Sequence, residues 1–187
     1  MFKGNLNIVT ISDGENTETH RDMVLVQNKD MGGNSWFILE ESPEQQKENA
    51  IRASGDIATY KAYRIARSKA ALSAFLEENP VSSEAHGGKA ALYSATAEKQ
   101  ALLTSTLVMA QGAAQAGIPY DLTWNATGKE CETWTAQELQ QLAFELAGYV
   151  KPLVAKQQEI EVALNACKTL EAVEAIVFDF ASVHGTG

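Results

Sequence analysis

Basic residues, cysteines and histidines are scarce in this chain, and each shortage excludes a class of function. The 187 residues include 15 Lys or Arg against 24 Asp or Glu, which gives a formal net charge of −9. Binding to nucleic-acid phosphates or to an anionic membrane surface requires clustered basic side chains. The composition therefore predicts a protein that binds no nucleic acid, and the acidic surface favours solubility.

The few cysteines and histidines also argue against a metal site or a disulfide framework. The two cysteines, Cys131 and Cys167, are far apart in the sequence, and His20, His86 and His184 follow no ligand spacing. We predict free thiols, no metal and no cofactor. No apolar run approaches the roughly 20 residues of a membrane span, and the first residues lack the pattern of a signal peptide. We therefore expect no membrane insertion.

Aromatic residues make up only 7% of the chain, while alanine and leucine are abundant, which favours helices packed through small residues. The first part differs from this pattern. Strand-like segments at residues 6–12, 22–28 and 35–40 are separated by turn-forming residues, so residues 1–41 are predicted to form a small three-stranded β-meander. Three short strands bury little surface, and this module would need a partner or a helix to cover it.

Residues 42–79 have the features of one long helix. Ser42 and Pro43 form a typical helix start, and Ile51, Ala58, Ile65 and Leu72 recur every seven residues. This spacing favours a coiled-coil-like connector. A single amphipathic helix packed on its own domain would give the same pattern, and the sequence does not separate the two.

Residues 89–187 are predicted to form a C-terminal helical domain, after a break at residues 77–88 that is rich in turn-forming residues. Two main helices, at 89–116 and about 136–167, flank a β-hairpin at 120–134, and a short helix at 169–180 follows. Thr135 and Glu138 have the spacing of a capping box, and Trp134 and Leu139 that of a hydrophobic staple. The fold class is therefore mainly α with a small β part.

The sequence contains no recognisable catalytic, cofactor-binding or metal-binding motif. Glu130 and Glu132, with Trp124 and Trp134, could form a carbohydrate site with paired carboxylates. A solvated hairpin face and core tryptophans explain the same residues, and this interpretation is favoured. The role of Trp124, core or partner contact, stays open.

Residues 89–180 resemble a phage-encoded domain family of unknown function. The resemblance follows the order and spacing of a short helix motif, a Trp-containing hairpin, a capped long helix and a C-terminal motif. In this chain these features fall on Thr96, Gln100 and Leu103, on Trp124 and Trp134, on Thr135, Glu138 and Leu139, and on Ala166, Thr169, Val173 and Ile176. Cys167 and Val173 depart from the usual residues of the pattern.

The resemblance implies a non-enzymatic structural protein of the phage tail or tail-fibre attachment apparatus, made in the host bacterial cytoplasm and located in the virion tail. Its expected partners are other tail or tail-fibre proteins and further copies of itself. A trimer is favoured by analogy with tail fibres. A tail-fibre assembly chaperone and a carbohydrate-binding receptor protein are the alternatives. The predicted partner-binding residues are Trp36, Phe37, Ile51, Ile65, Leu72 and Trp124.

Overall fold

The computed structural model describes residues 9–12, 17–20, 23–29, 32 and 35–183. The chain divides into two compact units, one of residues 1–64 with 167–175, and the other of residues 65–166 with 176–187. The described part is mainly helical with small two-stranded antiparallel sheets, which confirms the predicted fold class.

The N-terminal strands form two hairpins instead of the predicted three-stranded meander. Strand β1 (Val9–Ser12) pairs with β2 (Thr17–His20), and β3 (Met23–Lys29) pairs with β4 (Ser35–Glu41). The prediction missed β2 because its sequence, TETH, has no apolar residue and resembles a turn. Residues 6–8 of the first predicted strand lie outside the described residues.

The helix predicted for residues 42–79 is two helices, α1 (Pro43–Ala53) and α2 (Ile57–Glu78). Helix α1 begins as expected, because the Ser42 hydroxyl accepts a hydrogen bond from the Gln45 backbone N–H at 3.1 Å. Gly55 then takes a left-handed conformation, with φ of +74°, which glycine adopts at little cost. Asp56 starts α2 by accepting hydrogen bonds from two backbone N–H groups. The predicted heptad pattern is therefore interrupted after Ile51.

The first unit contains a buried ion pair between its helices. Arg64 Nη1 lies 2.8 Å from Glu48 Oε1, and both side chains are largely shielded from water. The Tyr60 hydroxyl, also buried, donates to the same carboxylate oxygen at 3.1 Å. Burial and the nearby Glu48 carboxylate raise the pKa of Tyr60 above its ordinary value. Helix α5 (Leu170–Glu174) belongs to this unit, and an exposed ion pair joins its Glu174 to Arg52 at 2.6 Å.

The second unit combines the later helices with two small hairpins. Strands β5 (Val81–Ser83) and β6 (Ala91–Tyr93) pair, as do β7 (Thr123–Trp124) and β8 (Glu132–Thr133). Along the chain, helix α3 (Ala97–Ala116) connects the first hairpin to the second, and helix α4 (Ala136–Ala166) follows the second hairpin. Helix α3 begins later than the predicted residue 89, because residues 91–93 pair with β5 and Thr96 caps the helix.

Helix α4 supplies more of the core of the second unit than any other element. Its buried residues follow steps of three and four, as an amphipathic helix requires: Leu139, Leu142, Leu146, Val150, Leu153, Gln157, Ile160 and Leu164. The helix continues through Pro152 to Ala166. The last predicted helix, 169–180, is shorter: α5 ends at Glu174, and Phe180 instead packs against Phe75 with ring centroids 6.2 Å apart.

Among the described residues, no helix is both long enough and apolar enough to cross a membrane.

Candidate functional site

An aromatic cluster joins the two hairpins of the second unit. The His86 ring stacks on the Trp134 indole with centroids 4.4 Å apart, and the Tyr93 ring meets the same indole edge-on at 5.7 Å. Trp134 and Tyr93 are buried. Aromatic pairs in these geometries add stability beyond the area that they bury. The cluster fixes the start of α4 against the β5–β6 hairpin.

The Glu138 carboxylate links the start of α4 to the loop between β5 and β6. One of its oxygens accepts from the Thr135 backbone N–H at 2.8 Å, while the Thr135 hydroxyl accepts from the Glu138 backbone N–H at 3.2 Å. This reciprocal pair is the predicted capping box. The other carboxylate oxygen accepts from the Gly87 backbone N–H at 3.2 Å. One side chain therefore caps α4 and anchors the loop that carries His86.

These contacts stabilise the ionised form of Glu138. The hydrogen bonds from the Thr135 backbone, the Thr135 hydroxyl and the Gly87 backbone lower the pKa of Glu138 to about 2. His86 lies between two carboxylates: its Nε2 is 3.1 Å from Glu132, and its Nδ1 is 3.4 Å from Glu138 without hydrogen-bond geometry. Glu132, His86 and Glu138 therefore lie side by side at the start of α4.

A cavity of about 490 Å³ opens beside the cluster, and it brings together the residues that suggested a carbohydrate site. Trp124, Trp134, Glu130 and Glu132 all line it, together with His86 and Lys129. Neither indole offers an open face to a sugar, however. His86 covers one face of Trp134, and the Lys99 ammonium lies 5.5 Å from the centre of the Trp124 ring. Both indoles are buried, as the favoured interpretation of core residues predicts.

Substitution of Thr135, which caps the start of α4, tests how much the capping box stabilises the fold. We expect Thr135→Ala to lower the free energy of unfolding by about 1 kcal/mol, because the helix start loses its side-chain acceptor. Urea denaturation followed by circular dichroism measures the change. The control is Thr133→Ala, an exposed position on β8, where a shift within about 0.5 kcal/mol is expected. Equal shifts for the two variants would contradict the capping role.

The depressed pKa of Glu138 predicts a pH-dependent stability. A carboxyl whose folded-state pKa lies below its ordinary value of 4.5 stabilises the fold above that pH, and the contribution disappears as the pH falls towards about 2. Glu138→Gln keeps an acceptor for the capping box but cannot ionise. We therefore expect the stability gap between wild type and Glu138→Gln to be largest at pH 6 and to narrow between about pH 4.5 and 2. Urea midpoints at four pH values measure this gap, and a constant gap contradicts the assignment.

A second feature of this unit is an outward face of α3 that carries apolar residues. Leu103 is the buried residue of this helix. Leu102, Val108 and Met109 are exposed, with Val108 61% accessible. Large exposed apolar side chains on one helix are typical of a site for protein contacts where they form a continuous patch.

An apolar groove of about 430 Å³ lies among α2, α3 and α4. Leu72, Leu76, Val150 and Val154 line it, and Glu77 lies among the polar residues that complete it. One predicted partner residue, Leu72, therefore lines this groove.

The other predicted partner residues have different locations. Ile51 and Ile65 are partly buried on α1 and α2, and Trp124 is buried at the hairpin. Trp36 and Phe37 belong to β4, but their side chains lie outside the described residues. The partner-binding role of these six residues stays a prediction.

Sequence reasoning missed His86, Tyr93 and the exposed face of α3. His86 precedes two glycines, and this composition favours a flexible loop. The pairing of β5 with β6 instead places His86 over Trp134. The available signal was Glu138, whose capping carboxylate has a second oxygen free to bind another segment.

No group of three or more His, Cys, Asp or Glu residues that could hold a metal ion occurs within the described parts of the chain. Neither Cys131 nor Cys167 forms a disulfide bond.

Comparison with known proteins assigns the chain to a family. No curated protein and no solved structure matches it. The model of a domain of unknown function, DUF4376, matches residues 57–182, which include α2, both hairpins of the second unit, α3, α4 and α5. The match covers more than half of the chain, and the chain belongs to the DUF4376 family.

Proposed function

We propose that this chain is a non-enzymatic structural protein of the tail or tail-fibre attachment apparatus of a tailed phage, and that it acts through protein–protein contacts. The observation that carries the proposal is the exposed apolar face of α3. Leu102, Val108 and Met109 remain accessible to water, and burial against another protein would remove this apolar surface from water. The phage context comes from the resemblance of residues 89–180.

The expected location is the virion tail, and the expected partners are other tail or tail-fibre proteins together with further copies of this chain. A trimer remains the favoured oligomer by analogy with tail fibres. An assembly chaperone that leaves before the particle is complete would use the same kind of apolar surface.

Quantitative mass spectrometry of purified particles of the encoding phage tests the structural role. We expect the chain at a fixed ratio to known tail proteins, in whole-number copies per particle. A chain that is abundant in the infected-cell lysate but absent from finished particles would contradict the structural role and favour the chaperone.

A carbohydrate-binding receptor protein is the second candidate, favoured by the cavity that Trp124, Trp134, Glu130 and Glu132 share. It ranks second because both indoles are buried, which leaves little ring surface on which a sugar could stack. A glycan array with wild type, Glu130→Gln and Lys129→Ala tests it, since both altered residues are exposed. Binding that either substitution abolishes supports the receptor, while no binding, or binding unchanged by both, rejects it.

A further inference from the structure

The groove among α2, α3 and α4 is lined by pairs of apolar side chains from two helices. Leu72 and Leu76 lie one helical turn apart on α2, and Val150 and Val154 lie one turn apart on α4. Leu76 and Val150 are buried, whereas Val154 stays accessible to water. The groove has a volume of about 430 Å³, and its paired apolar residues fit an amphipathic helix whose apolar side chains recur every three or four residues.

The charged residues that line this groove are acidic. Glu77 of α2 and Glu98 of α3 belong to the lining, whereas none of the described residues that complete it is Lys, Arg or His. Both glutamates are exposed. Within residues 35–183, no ion pair joins either carboxylate to a basic side chain. The groove therefore combines apolar side chains with two carboxylates that the chain itself does not neutralise.

The fold of the chain does not account for the charge of Glu77. This residue lies in the last turn of α2, which contains no basic residue. The C-terminus of a helix has a partial negative charge, so a carboxylate there is unfavourable and a cation is favourable. Glu98 differs, because it lies in the first turn of α3, where a carboxylate stabilises the helix. A cation from a binding partner would remove the unfavourable interaction at Glu77.

We propose that this groove binds a basic amphipathic helix of another protein. The apolar side chains of that helix pack against the leucine pair of α2 and the valine pair of α4, and its Lys or Arg side chains lie beside Glu77 and Glu98. The inference rests on the proposed function, in which the chain acts through protein–protein contacts. It deepens that function by stating the chemistry of one partner and the site that receives it.

Charge complementarity favours this occupant over the alternatives. Two copies of the chain, each with a net charge of −9, repel one another. A basic segment is attracted by the same charge, and the carboxylates of Glu77 and Glu98 lie where it binds. An apolar helix without basic residues would remove water from these carboxylates without replacing it by a partner, which costs free energy.

Fluorescence anisotropy with synthetic peptides tests the proposal on the full-length chain. The probe is a labelled peptide of about 16 residues, long enough to form a helix, composed of Leu, Lys and Ala with leucines in steps of three and four and lysines beside them. One control peptide has Glu in place of every Lys, and another has Ala in place of every Leu. We expect the probe to bind and each control to bind at least about tenfold more weakly. Absence of probe binding, or equal binding of either control, overturns the proposal.

Glu77→Lys tests whether the probe binds in the groove. Lysine in the last turn of α2 is favoured by the helix dipole, so this variant should fold at least as well as the wild type. Glu84→Lys changes the net charge by the same amount at an exposed position outside the groove. We expect Glu77→Lys to raise the dissociation constant of the probe by at least about fivefold and Glu84→Lys to change it by less than about twofold. Equal effects would assign the binding to general charge attraction and overturn the proposal.

Sedimentation equilibrium tests a second copy of the chain as the occupant. Self-association of the wild type that the probe displaces, and that Glu77→Lys alters but Glu84→Lys does not, would assign the groove to a second copy. That result overturns the proposal.

These experiments separate the inference from the proposed function. A chain that is present at a fixed ratio in virions but does not bind the probe contradicts the groove as a binding site and leaves the structural role intact. A chain that binds the probe through Glu77 but is absent from virions contradicts the structural role and leaves the binding site intact.

Discussion

We expect Trp134→Ala to lower the free energy of unfolding by about 3–5 kcal/mol, the range for loss of a buried large aromatic side chain. Trp134 is only 4% exposed, and its indole contacts His86 face to face and Tyr93 edge-on. The substitution removes the ring against which His86 and Tyr93 of the β5–β6 hairpin pack. Urea denaturation monitored by far-ultraviolet circular dichroism measures the loss.

Phe144→Ala is the matched control for this prediction. Phe144 is an aromatic residue on α4 that is 69% exposed, so its removal should change the free energy of unfolding by at most about 0.5 kcal/mol. A loss below about 1 kcal/mol for Trp134→Ala would show that the aromatic cluster is not part of the stabilising core.

The second large effect is expected at the buried ion pair of the first unit. We predict that Glu48→Ala lowers the free energy of unfolding by about 3–5 kcal/mol, because it removes the carboxylate that faces a shielded Arg64 guanidinium. It also removes the acceptor of the Tyr60 hydroxyl. Chemical denaturation of the full-length chain measures this loss.

Arg52→Ala is the control, since it breaks an ion pair in the same unit whose side chains are nearly half exposed. Exposed pairs contribute about 0–1 kcal/mol. The double replacement Glu48→Met with Arg64→Met should recover much of the stability lost in Glu48→Ala. It removes both charges of the pair, whereas Glu48→Ala leaves the buried guanidinium behind. Similar losses of unfolding free energy for Glu48→Ala and Arg52→Ala would contradict the prediction that the buried ion pair contributes more than the exposed one.

Local signals in the sequence predicted the parts of the fold that depend on short-range chemistry. The capping box at Thr135 and Glu138 requires only the spacing of two residues, and the structure has both of its reciprocal hydrogen bonds. The hairpin at 120–134 and the length of α4 follow from alternation and helical periodicity in the same way. These features need no knowledge of distant contacts.

The helix break at residues 54–56 shows where periodicity fails. In the sequence, the seven-residue spacing continues without a shift from Ile51 to Leu72, so the pattern predicts one helix. Gly55 takes a left-handed conformation that ends the first helix. Asp56 then begins the next helix. The pair Gly55 and Asp56, a glycine followed by a residue that favours the N-cap, is the local sequence signal for this break.

The aromatic cluster and the α3 face could not be predicted because each depends on tertiary structure. His86 and Trp134 meet only after the β5–β6 hairpin forms and packs beside α4. Helix α3 is apolar or small around most of its circumference, so its sequence does not show which side the core covers. The position of Leu103 in the core identifies the opposite side as the exposed one.

The central claim is that this chain works by binding other proteins, copies of itself among them. Size-exclusion chromatography with light scattering on the full-length chain, over a hundredfold range of concentration, tests it most directly. The account predicts an average particle mass well above 20.2 kDa at high concentration that falls towards this value on dilution. A mass of 20.2 kDa at every concentration would contradict self-association.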